Sequence, residues 1–426
     1  MELFNLKDKS EQVNFATAVK RGIGSDQGLF FPDEIKPLDN IDNLLEMPLV
    51  ERSQVILRHL IGDEVPELER IIADAFTFKA PLVKADDRIY ALELFHGPTL
   101  AFKDFGARFM ARVLSAVRGN KHLTILTATS GDTGAAVADA FFKQSGIDVV
   151  VLYPKGKISE LQEKLIATLG GNIRAVQING TFDECQDLVK KAFDDADFKE
   201  KVGLNSANSI NISRLLAQVC YYFEAASQLS KAERDKLVFS VPCGNFGNIT
   251  AGLIAKALGL KCRFVISCNA NDTVPRYLKS GKWDPHATIP TLSNAMDISR
   301  PNNWPRVEAL CRMEHWDLDA FDYGSLNDDE TMAAMRELHN KTGYVLEPHA
   351  AIAWKVLSSH LKEDEVGIFL GTAHPAKFKA DVDKVLSIDV PLPEALERRK
   401  NLDSKSVTLD PDYTKLKDYI LKELNI

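Results

Sequence analysis

The sequence contains no apolar run of the ~20 residues that a transmembrane helix requires. Residues 1–5 also show no basic segment that leads into an apolar run, the pattern typical of a secretory signal peptide. We therefore expect a cytoplasmic protein that makes no contact with a membrane.

Basic charge is in deficit as well, because Asp and Glu outnumber Lys and Arg and the formal net charge is −8. A protein that binds a polyanion usually presents a basic face. The composition therefore argues against nucleic acid as a partner.

Cysteine is scarce and irregularly spaced, with six residues and no Cys-x-x-Cys pair. This pattern predicts reduced thiols rather than a disulfide framework. Neither the cysteines nor Glu347, His349 and His374 have the spacing of metal ligands, so no metal site is predicted. The cysteines are Cys185, Cys220, Cys243, Cys262, Cys268 and Cys311.

From about residue 88 the chain alternates apolar, strand-like runs with amphipathic helical segments. Such an alternation indicates parallel sheets covered by helices on both faces. Because it occurs in two runs, we predict an α/β fold with two open, mainly parallel sheet domains and a cleft between them. The predicted parts are a mainly helical N-terminal segment over 1–79, a first α/β part over 80–230 and a second over 231–426.

The hydrophobic period places the individual elements. Strands are predicted over 89–95, 123–128, 147–153, 173–178, 237–241, 262–268 and 366–370, and helices over 67–76, 105–117, 133–144, 159–169, 182–193, 212–229 and 248–258. The segment 281–305 is rich in Pro, Asn and Ser and has no period, so we expect a long loop or a lid there.

Lys103 is the most informative residue, because it lies between Phe102 and Phe105 where a strand gives way to a helix. A lysine that aromatic neighbours desolvate loses its proton more readily. A neutral amine is what a Schiff base with an aldehyde cofactor requires. The alternative is a solvated surface charge, which is the weaker interpretation here because the loops downstream carry matching chemistry.

Two loops that follow predicted strands carry anion-binding chemistry. Segment 127–134 combines hydroxyls, backbone N–H groups and a helix N-terminus, which together suit a carboxylate. An ordinary capped helix start is the alternative, and Asp132 must point away from an anion or stay protonated. Segment 243–248 has glycines that let the backbone approach a phosphate, but it is neither a P-loop nor a Gly-x-Gly-x-x-Gly fingerprint, so a plain Gly-Asn turn remains possible.

Two further loops are weaker on their own. Segment 208–214 opens a long helix and includes Arg214, whose guanidinium suits a second phosphate, although helix capping with a surface arginine fits equally. In segment 371–377, Thr372 follows a strand and could meet a ring nitrogen. No Gly-x-Ser-x-Gly elbow is present, which weighs against a serine hydrolase.

These motifs together resemble the fold-type II pyridoxal-phosphate enzymes, the tryptophan-synthase-β-like group, and within it the threonine synthase family. The match rests on segments 96–104, 127–134, 244–248 and 371–377 in this order. Segment 21–32 also resembles the opening of the longer bacterial and fungal members, so the resemblance covers nearly the whole chain.

The resemblance implies pyridoxal 5'-phosphate as the cofactor, with Lys103 as the catalytic lysine that binds its aldehyde. Thr372 would meet the pyridine nitrogen as a neutral hydroxyl, which leaves the ring less electron-withdrawing than a carboxylate partner would. Asp132 stands where shorter relatives have asparagine, so its hydrogen bond to the cofactor's phenolic oxygen is an open question. The resemblance assigns Gly244, Asn245, Phe246, Gly247 and Asn248 to the cofactor phosphate, Thr129, Ser130, Gly131, Asp132 and Thr133 to the substrate carboxylate, and Ser209, Asn211 and Arg214 to the substrate phosphate.

The implied reaction converts O-phospho-L-homoserine and water into L-threonine and phosphate, the last step of threonine biosynthesis. Two phosphates and a carboxylate demand local positive potential, for which Arg214 is the first candidate and Lys377 and Lys155 are weaker ones. The alternatives are a phospho-lyase on the same substrate, a serine/threonine dehydratase or another fold-type II lyase, and a non-catalytic ligand-sensing protein. The expected partner is a small-molecule substrate, and the expected assembly is a monomer or homodimer.

Overall fold

The computed structural model describes residues 1–425. The strands are β1 (Glu2–Asn5), β2 (Gln12–Asn14), β3 (Phe30–Phe31), β4 (Leu82–Asp86), β5 (Ile89–Glu93), β6 (Leu123–Ala128), β7 (Ile147–Pro154), β8 (Ile173–Ile178), β9 (Leu204–Asn205), β10 (Leu237–Pro242), β11 (Arg263–Cys268), β12 (Asp322–Ser325), β13 (Val366–Gly371) and β14 (Val407–Leu409). The helices are α1 (Phe15–Arg21), α2 (Ile41–Leu45), α3 (Leu49–Ile61), α4 (Leu68–Ala75), α5 (Lys103–Val117), α6 (Asp132–Phe141), α7 (Glu160–Ala167), α8 (Phe182–Asp194), α9 (Ala196–Val202), α10 (Ile212–Ser227), α11 (Lys231–Arg234), α12 (Gly247–Ala257), α13 (Thr273–Ser280), α14 (Trp304–Met313), α15 (Asp328–Thr342), α16 (Pro348–His360), α17 (Lys379–Leu386), α18 (Glu394–Glu397) and α19 (Tyr413–Leu424).

Two mainly parallel sheets form the body of the molecule. One has the order β12-β11-β10-β13-β5-β4 and is parallel except for the β4–β5 pair. The other has the order β14-β8-β7-β6-β9 and is parallel throughout. Strands β6, β10 and β13 are buried along their whole length, as expected for parallel strands covered on both faces. The predicted α/β class with two open, mainly parallel sheets is therefore confirmed.

Each sheet includes a strand from a distant part of the chain. Strand β5 pairs with β13 in the six-stranded sheet, and β14, near the C-terminus, pairs with β8 in the five-stranded sheet. The sheets therefore cross the boundary that we propose at 230/231. The N-terminal segment holds α1–α4 and a small antiparallel sheet, β2-β1-β3, whose strands are too short for a period to reveal.

Most predicted elements lie where the hydrophobic period places them. Strands β6 and β8 match at both ends, and α10 ends two residues before the predicted position. Ser159 caps α7 through a capping box with Gln162, which confirms it as the N-cap. The periodicity predicts no element between 269 and 365, where the structure has α13–α16 and β12. Helix α16, for example, is buried on nearly all sides and so lacks the single apolar face that a period detects.

The segment 281–305 is a long loop up to the start of α14, interrupted by one 3₁₀ turn at Asn294–Met296. None of the helices between residues 1 and 425 combines the length and the hydropathy needed to cross a bilayer. The six cysteines are free thiols, and all but Cys262 are buried.

Candidate active site

A cavity of about 1450 Å³ lies where the loops after β6, β9, β10 and β13 meet. Ligands in open α/β sheets gather at this edge, beyond the carboxyl ends of the strands. The N-terminal segment contributes Leu6 and Gln27 to the wall, and the loop 281–305 contributes Trp283 and Asn302 among others. Of the site residues predicted from the sequence, the cavity is lined by Lys103, Thr129, Ser130, Asp132, Thr133, Ser209, Arg214, Gly244, Asn245, Phe246, Gly247, Asn248 and Thr372. Gly131 and Asn211, both within the described chain, do not line it.

Lys103 is the first residue of α5, and its side chain is partly exposed to the cavity. The preceding segment is bound to the end of β13, because the Phe102 N–H donates to the Thr372 carbonyl at 2.9 Å. This contact brings Thr372 to the lysine. Burial lowers the pKa of Lys103 to about 8, with the nearby Arg214 charge adding to the effect and Asp132 opposing it. A substantial fraction of the amine is therefore neutral near physiological pH, as a nucleophilic lysine requires.

Asp104 fixes the turn in front of the lysine. Its carboxyl accepts from the Thr99 N–H at 2.9 Å and from the Thr99 hydroxyl at 2.5 Å. Gly97 leaves room for that carboxyl, since a Cβ there would lie 2.4 Å from Asp104 Oδ2. Burial raises the pKa of Asp104 to about 6, partly offset by its hydrogen bonds to Thr99.

The helix start after β6 is capped by the Thr129 hydroxyl rather than by the N-cap residue Gly131, and the loop also opens into the cavity. The Thr129 hydroxyl accepts from the Gly131 N–H at 2.9 Å and the Gly134 N–H at 2.8 Å, which fixes the turn. Ser130 and Thr133 are only partly buried and line the cavity. The two interpretations of this loop are thus compatible.

The sequence leaves two options for the Asp132 carboxylate, which are to point away from a bound anion or to stay protonated. The structure supports the first, because the carboxylate faces a buried cation. It forms an ion pair with Lys377 at 2.6 Å and accepts from Gln162 Nε2 at 3.1 Å. Burial opposes ionisation, but the Lys377 and Lys103 ammonium groups outweigh it and hold the pKa of Asp132 well below its ordinary value. Asp132 is therefore ionised, with its charge balanced inside the protein.

The same pair corrects the list of cations expected to attract substrate. Lys377 is fully buried, bound to Asp132, and donates to the Thr99 carbonyl at 2.8 Å. It does not line the cavity, and its charge is neutralised by the carboxylate. Lys155 is exposed and also lies outside the lining. Neither lysine supplies the local positive potential that the sequence suggested.

The loop after β10 has the features of a phosphate cradle. Phe246 has a left-handed backbone with φ 59°, and α12 begins at Gly247 with its N-terminus at the cavity. A Cβ on Gly244 would lie 2.8 Å from Met296 Cα, so only glycine lets the backbone fit here. Asn248 Oδ1 accepts from the hydroxyls of Tyr221 and Tyr222, while its buried Nδ2 has no partner among the described residues.

That unpartnered amide donor, beside a helix N-terminus, fits an acceptor such as the phosphate of pyridoxal phosphate. Asn245 has a different role in the structure. Its Nδ2 donates to the Ser209 hydroxyl at 2.6 Å and its Oδ1 accepts from the Asn302 N–H at 2.6 Å. Asn245 thereby joins the loop after β10 to the loop after β9.

Arg214 is a buried cation rather than the surface arginine of the alternative interpretation. Its side chain is 2% exposed, and Nη1 donates to the Ala207 carbonyl at 2.6 Å. Within residues 1–425 it forms no ion pair, and its buried Nε has no acceptor. Burial lowers the pKa of Arg214 to about 10, although the Asp104 carboxyl opposes this. A guanidinium without a carboxylate partner at a cavity wall suits an anionic ligand.

Asn211 supports this loop from outside the cavity. It caps α10 through its Oδ1, which accepts from the Ser213 N–H at 3.1 Å, and its Nδ2 donates to the Val19 carbonyl at 3.0 Å. The position of Asn211 therefore does not support the predicted contact with substrate. It supports a role in holding the loop to the N-terminal segment.

Two titratable residues in the wall, the buried His349 and the half-buried Asp297, were not predicted. His349 Nδ1 lies 2.5 Å from Glu347 Oε2, and Nε2 accepts from the Ala295 N–H at 3.2 Å, which assigns the proton to Nδ1. Asp297 accepts from the Thr291 hydroxyl at 2.7 Å, and burial raises the pKa of Asp297 to about 6. The Glu-Pro-His sequence is visible in the chain, but its closeness to the cavity depends on contacts far apart in sequence. No group of three or more potential metal-binding side chains occurs in the part of the chain that the structure describes.

Comparison with known proteins identifies the family. A family described as pyridoxal-phosphate dependent enzyme matches residues 76–371, one described as threonine synthase N terminus matches 4–76, and one described as threonine synthase, C-terminal matches 350–420. Threonine synthase from Haemophilus influenzae is 62% identical over 99% of this chain and 100% of its own length.

Solved structures agree with the sequence relatives. Threonine synthase from Escherichia coli is 55% identical, with a TM-score of 0.96 over 99% of this chain and 100% of that chain. Threonine synthase from Brucella melitensis, solved with PLP bound, is 32% identical, with a TM-score of 0.92 over 99% of this chain and 98% of that chain. With Lys103, the 244–248 loop and the full-length matches in agreement, the chain belongs to the threonine synthase family of pyridoxal-phosphate-dependent enzymes.

Proposed function

We propose that this chain converts O-phospho-L-homoserine and water into L-threonine and phosphate. The observation that carries the proposal is Arg214, a buried guanidinium without an ion-pair partner in the described chain, in the wall of the cavity that also contains Lys103. The cavity thus offers a second place for an anion beside the glycine-rich loop. A lyase whose substrate carries no phosphate has no need of it.

The site residues take the following roles in this proposal. The Thr129–Thr133 loop, with its helix N-terminus and hydroxyls, binds the substrate carboxylate. Arg214 and Ser209 bind the substrate phosphate, and the 244–248 loop binds the cofactor phosphate. Thr372 lies in the wall beside the lysine segment and is assigned the contact with the cofactor ring.

Lys103 is the proton carrier. Pyridoxal phosphate, when bound, withdraws electrons from the substrate carbons and so acidifies their hydrogens. The Lys103 amine, with its lowered pKa, removes the proton from the α-carbon, and loss of a second proton from the β-carbon supplies the electron pair that expels phosphate from the γ-carbon. The γ-carbon then takes up a proton, water adds its hydroxyl at the β-carbon, and Lys103 returns a proton to the α-carbon. The phosphate leaves the γ-carbon toward Arg214, whose charge stabilises the departing dianion.

The test is product analysis of the purified protein with O-phospho-L-homoserine, in which threonine, 2-oxobutyrate and free phosphate are quantified together. Threonine in step with phosphate supports the proposal. Phosphate with 2-oxobutyrate makes the chain a phospho-lyase, and no phosphate release removes the proposed substrate. A parallel assay with serine and threonine tests the dehydratase alternative.

A further inference from the structure

Arg306 is a fully buried guanidinium that no carboxylate compensates within residues 1–425. It is the third residue of α14, where the helix dipole disfavours a cation. Burial lowers the pKa of Arg306 to about 9, and its Nε has no acceptor among the residues that the structure describes. Unpaired buried charges are costly, so a role other than stability is to be sought for this arginine.

The hydrogen bonds of Arg306 join three separate parts of the chain. Its Nη2 donates to the carbonyls of Phe30 and Ile210, both at 2.8 Å, and its Nη1 donates to Asn303 Oδ1 at 2.8 Å. Phe30 belongs to the N-terminal segment, and Ile210 to the loop after β9. Asn303 Nδ2 in turn donates to the Asn245 carbonyl at 3.0 Å and lies 3.4 Å from the Ser209 hydroxyl.

The surroundings of Arg306 repeat those of Arg214. Asn211 is the N-cap of α10 and Arg214 follows three residues later; Asn303 is the N-cap of α14 and Arg306 follows three residues later. Arg214 binds the carbonyl of Ala207 and Arg306 that of Ile210, so two buried cations hold the loop 206–211 at both ends. Two helix N-termini and two guanidinium groups therefore converge on one short loop.

We propose that Arg306 is a positioning residue for the substrate phosphate: it fixes the loop 206–211 against the N-terminal segment and adds a second uncompensated cation to that end of the cavity. Arg306 does not line the cavity, so it acts through Ser209, Asn303 and the field of its charge. This inference rests on the proposed function for the identity of the substrate. The N-terminal segment then helps to position this loop, because the Phe30 carbonyl accepts a hydrogen bond from Arg306 and the Val19 carbonyl accepts one from Asn211.

The experiment measures binding of inorganic phosphate to the cofactor-loaded enzyme, together with KM and kcat for O-phospho-L-homoserine. Arg306→Met is expected to weaken phosphate binding and raise KM by about tenfold or more, the loss typical of a removed charged donor, with a smaller change in kcat. Arg306→Lys keeps the charge and recovers part of both. Arg312→Met is the matched control, because Arg312 is exposed on the same helix and the variant loses the same formal charge.

A folded Arg306→Met variant that binds phosphate as tightly as wild type overturns the proposal, and so does an equal loss in Arg312→Met. If Arg306→Met does not fold, Asn303→Asp decides, because it neutralises Arg306 with an adjacent carboxylate. Wild-type phosphate affinity in that variant also overturns the proposal. Phosphate binding reports on Arg306 even if the wild-type protein makes no threonine, so failure of the proposed function is a separate result.

Discussion

At the 244–248 end of the cavity the hydrogen-bond donors available to an anion are neutral. They are the backbone N–H groups at the start of α12 and Asn248 Nδ2, which has no partner within residues 1–425. At the 206–211 end they are charged, because Arg214 and Arg306 are both buried without an ion pair in the described chain. Neutral donors in a fixed backbone hold a resident group by shape and many modest bonds. Unpaired cations attract a dianion that must enter and leave in every turnover.

A third region contains a buried cation that, unlike the two arginines, has a carboxylate partner. Lys377 is as deeply buried as the two arginines, but Asp132 neutralises it at 2.6 Å. Charge is thus balanced beneath Lys103, the lysine proposed to bind the cofactor, and left unbalanced where the substrate phosphate is proposed to bind.

Lys103→Ala removes the proposed covalent bond to the cofactor and leaves the proposed phosphate-binding loop 244–248 unchanged. Turnover is expected to fall by about 10⁴-fold or more, since both the nucleophile and the proton carrier are lost. The yellow absorbance of lysine-bound cofactor disappears, while equilibrium dialysis still detects cofactor held by the 244–248 loop. Lys155→Ala, at an exposed lysine outside the cavity, is the control. Wild-type turnover in Lys103→Ala would contradict the assignment.

Asp132→Asn leaves the buried Lys377 without its carboxylate partner. Because Lys377 is left buried and unpaired, the free energy of unfolding is expected to fall by about 3–5 kcal/mol at neutral pH. The pKa of Asp132 is depressed in the folded state, so its stabilisation is present above the unfolded value of about 3.9 and is lost as the pH falls below it. Denaturant unfolding against pH should therefore show the two proteins converging in acid, and Lys377→Met in the variant should restore stability. An unchanged midpoint at pH 7 would rule out an ionised pair.

Gly244→Ala tests whether backbone shape holds the cofactor. The added Cβ would meet Met296 Cα at 2.8 Å, so cofactor affinity is expected to weaken by about 1–3 kcal/mol through displacement of the loop. At Gly247, in the same loop, the nearest atom to a Cβ lies at 3.4 Å, and Gly247→Ala should weaken binding less. Titration of the apoenzyme with cofactor measures both, and equal effects would argue against the cradle geometry.

The smallest expected effect is the pH dependence of covalent cofactor capture. Only the neutral Lys103 amine reacts, and burial lowers the pKa of Lys103 to about 8, so the capture rate of the apoenzyme rises with pH and levels off above 8. Between pH 7 and 8 the rate should increase about fivefold, from the change in the neutral fraction of such a group. Stopped-flow absorbance measures it. A tenfold rise per pH unit continuing past pH 9 would indicate an ordinary lysine.

The sequence predicts those parts of the site that depend on local pattern. Lys103, the 127–134 loop and the 244–248 loop each follow an apolar strand and open a helix, and the structure brings all three to one cavity. Strand ends and helix starts are set by nearby residues, and a parallel sheet aligns them at one edge.

Residues whose role depends on a distant partner could not be predicted in the same way. Lys377 is paired with a residue 245 positions earlier, and Arg306 binds a carbonyl 276 positions earlier. Asn303-x-x-Arg306 does repeat the pattern of Asn211-x-x-Arg214, and this repeat is the local sequence signal that could have pointed to Arg306. Helix α16 was missed because it is buried on nearly all sides and has no single apolar face, whereas α14 and α15 do bury residues at helical spacing that the prediction overlooked.

The most direct test of the contrast is to measure two affinities in Arg214→Gln, a variant that removes the charge and keeps a hydrogen-bonding side chain. The KM for O-phospho-L-homoserine and the dissociation constant for inorganic phosphate are expected to rise about tenfold to a hundredfold. Cofactor absorbance and cofactor affinity should stay at the wild-type level, because neutral donors hold that group. Equal loss of cofactor and phosphate binding would place Arg214 at the cofactor and contradict the account of two differently built ends.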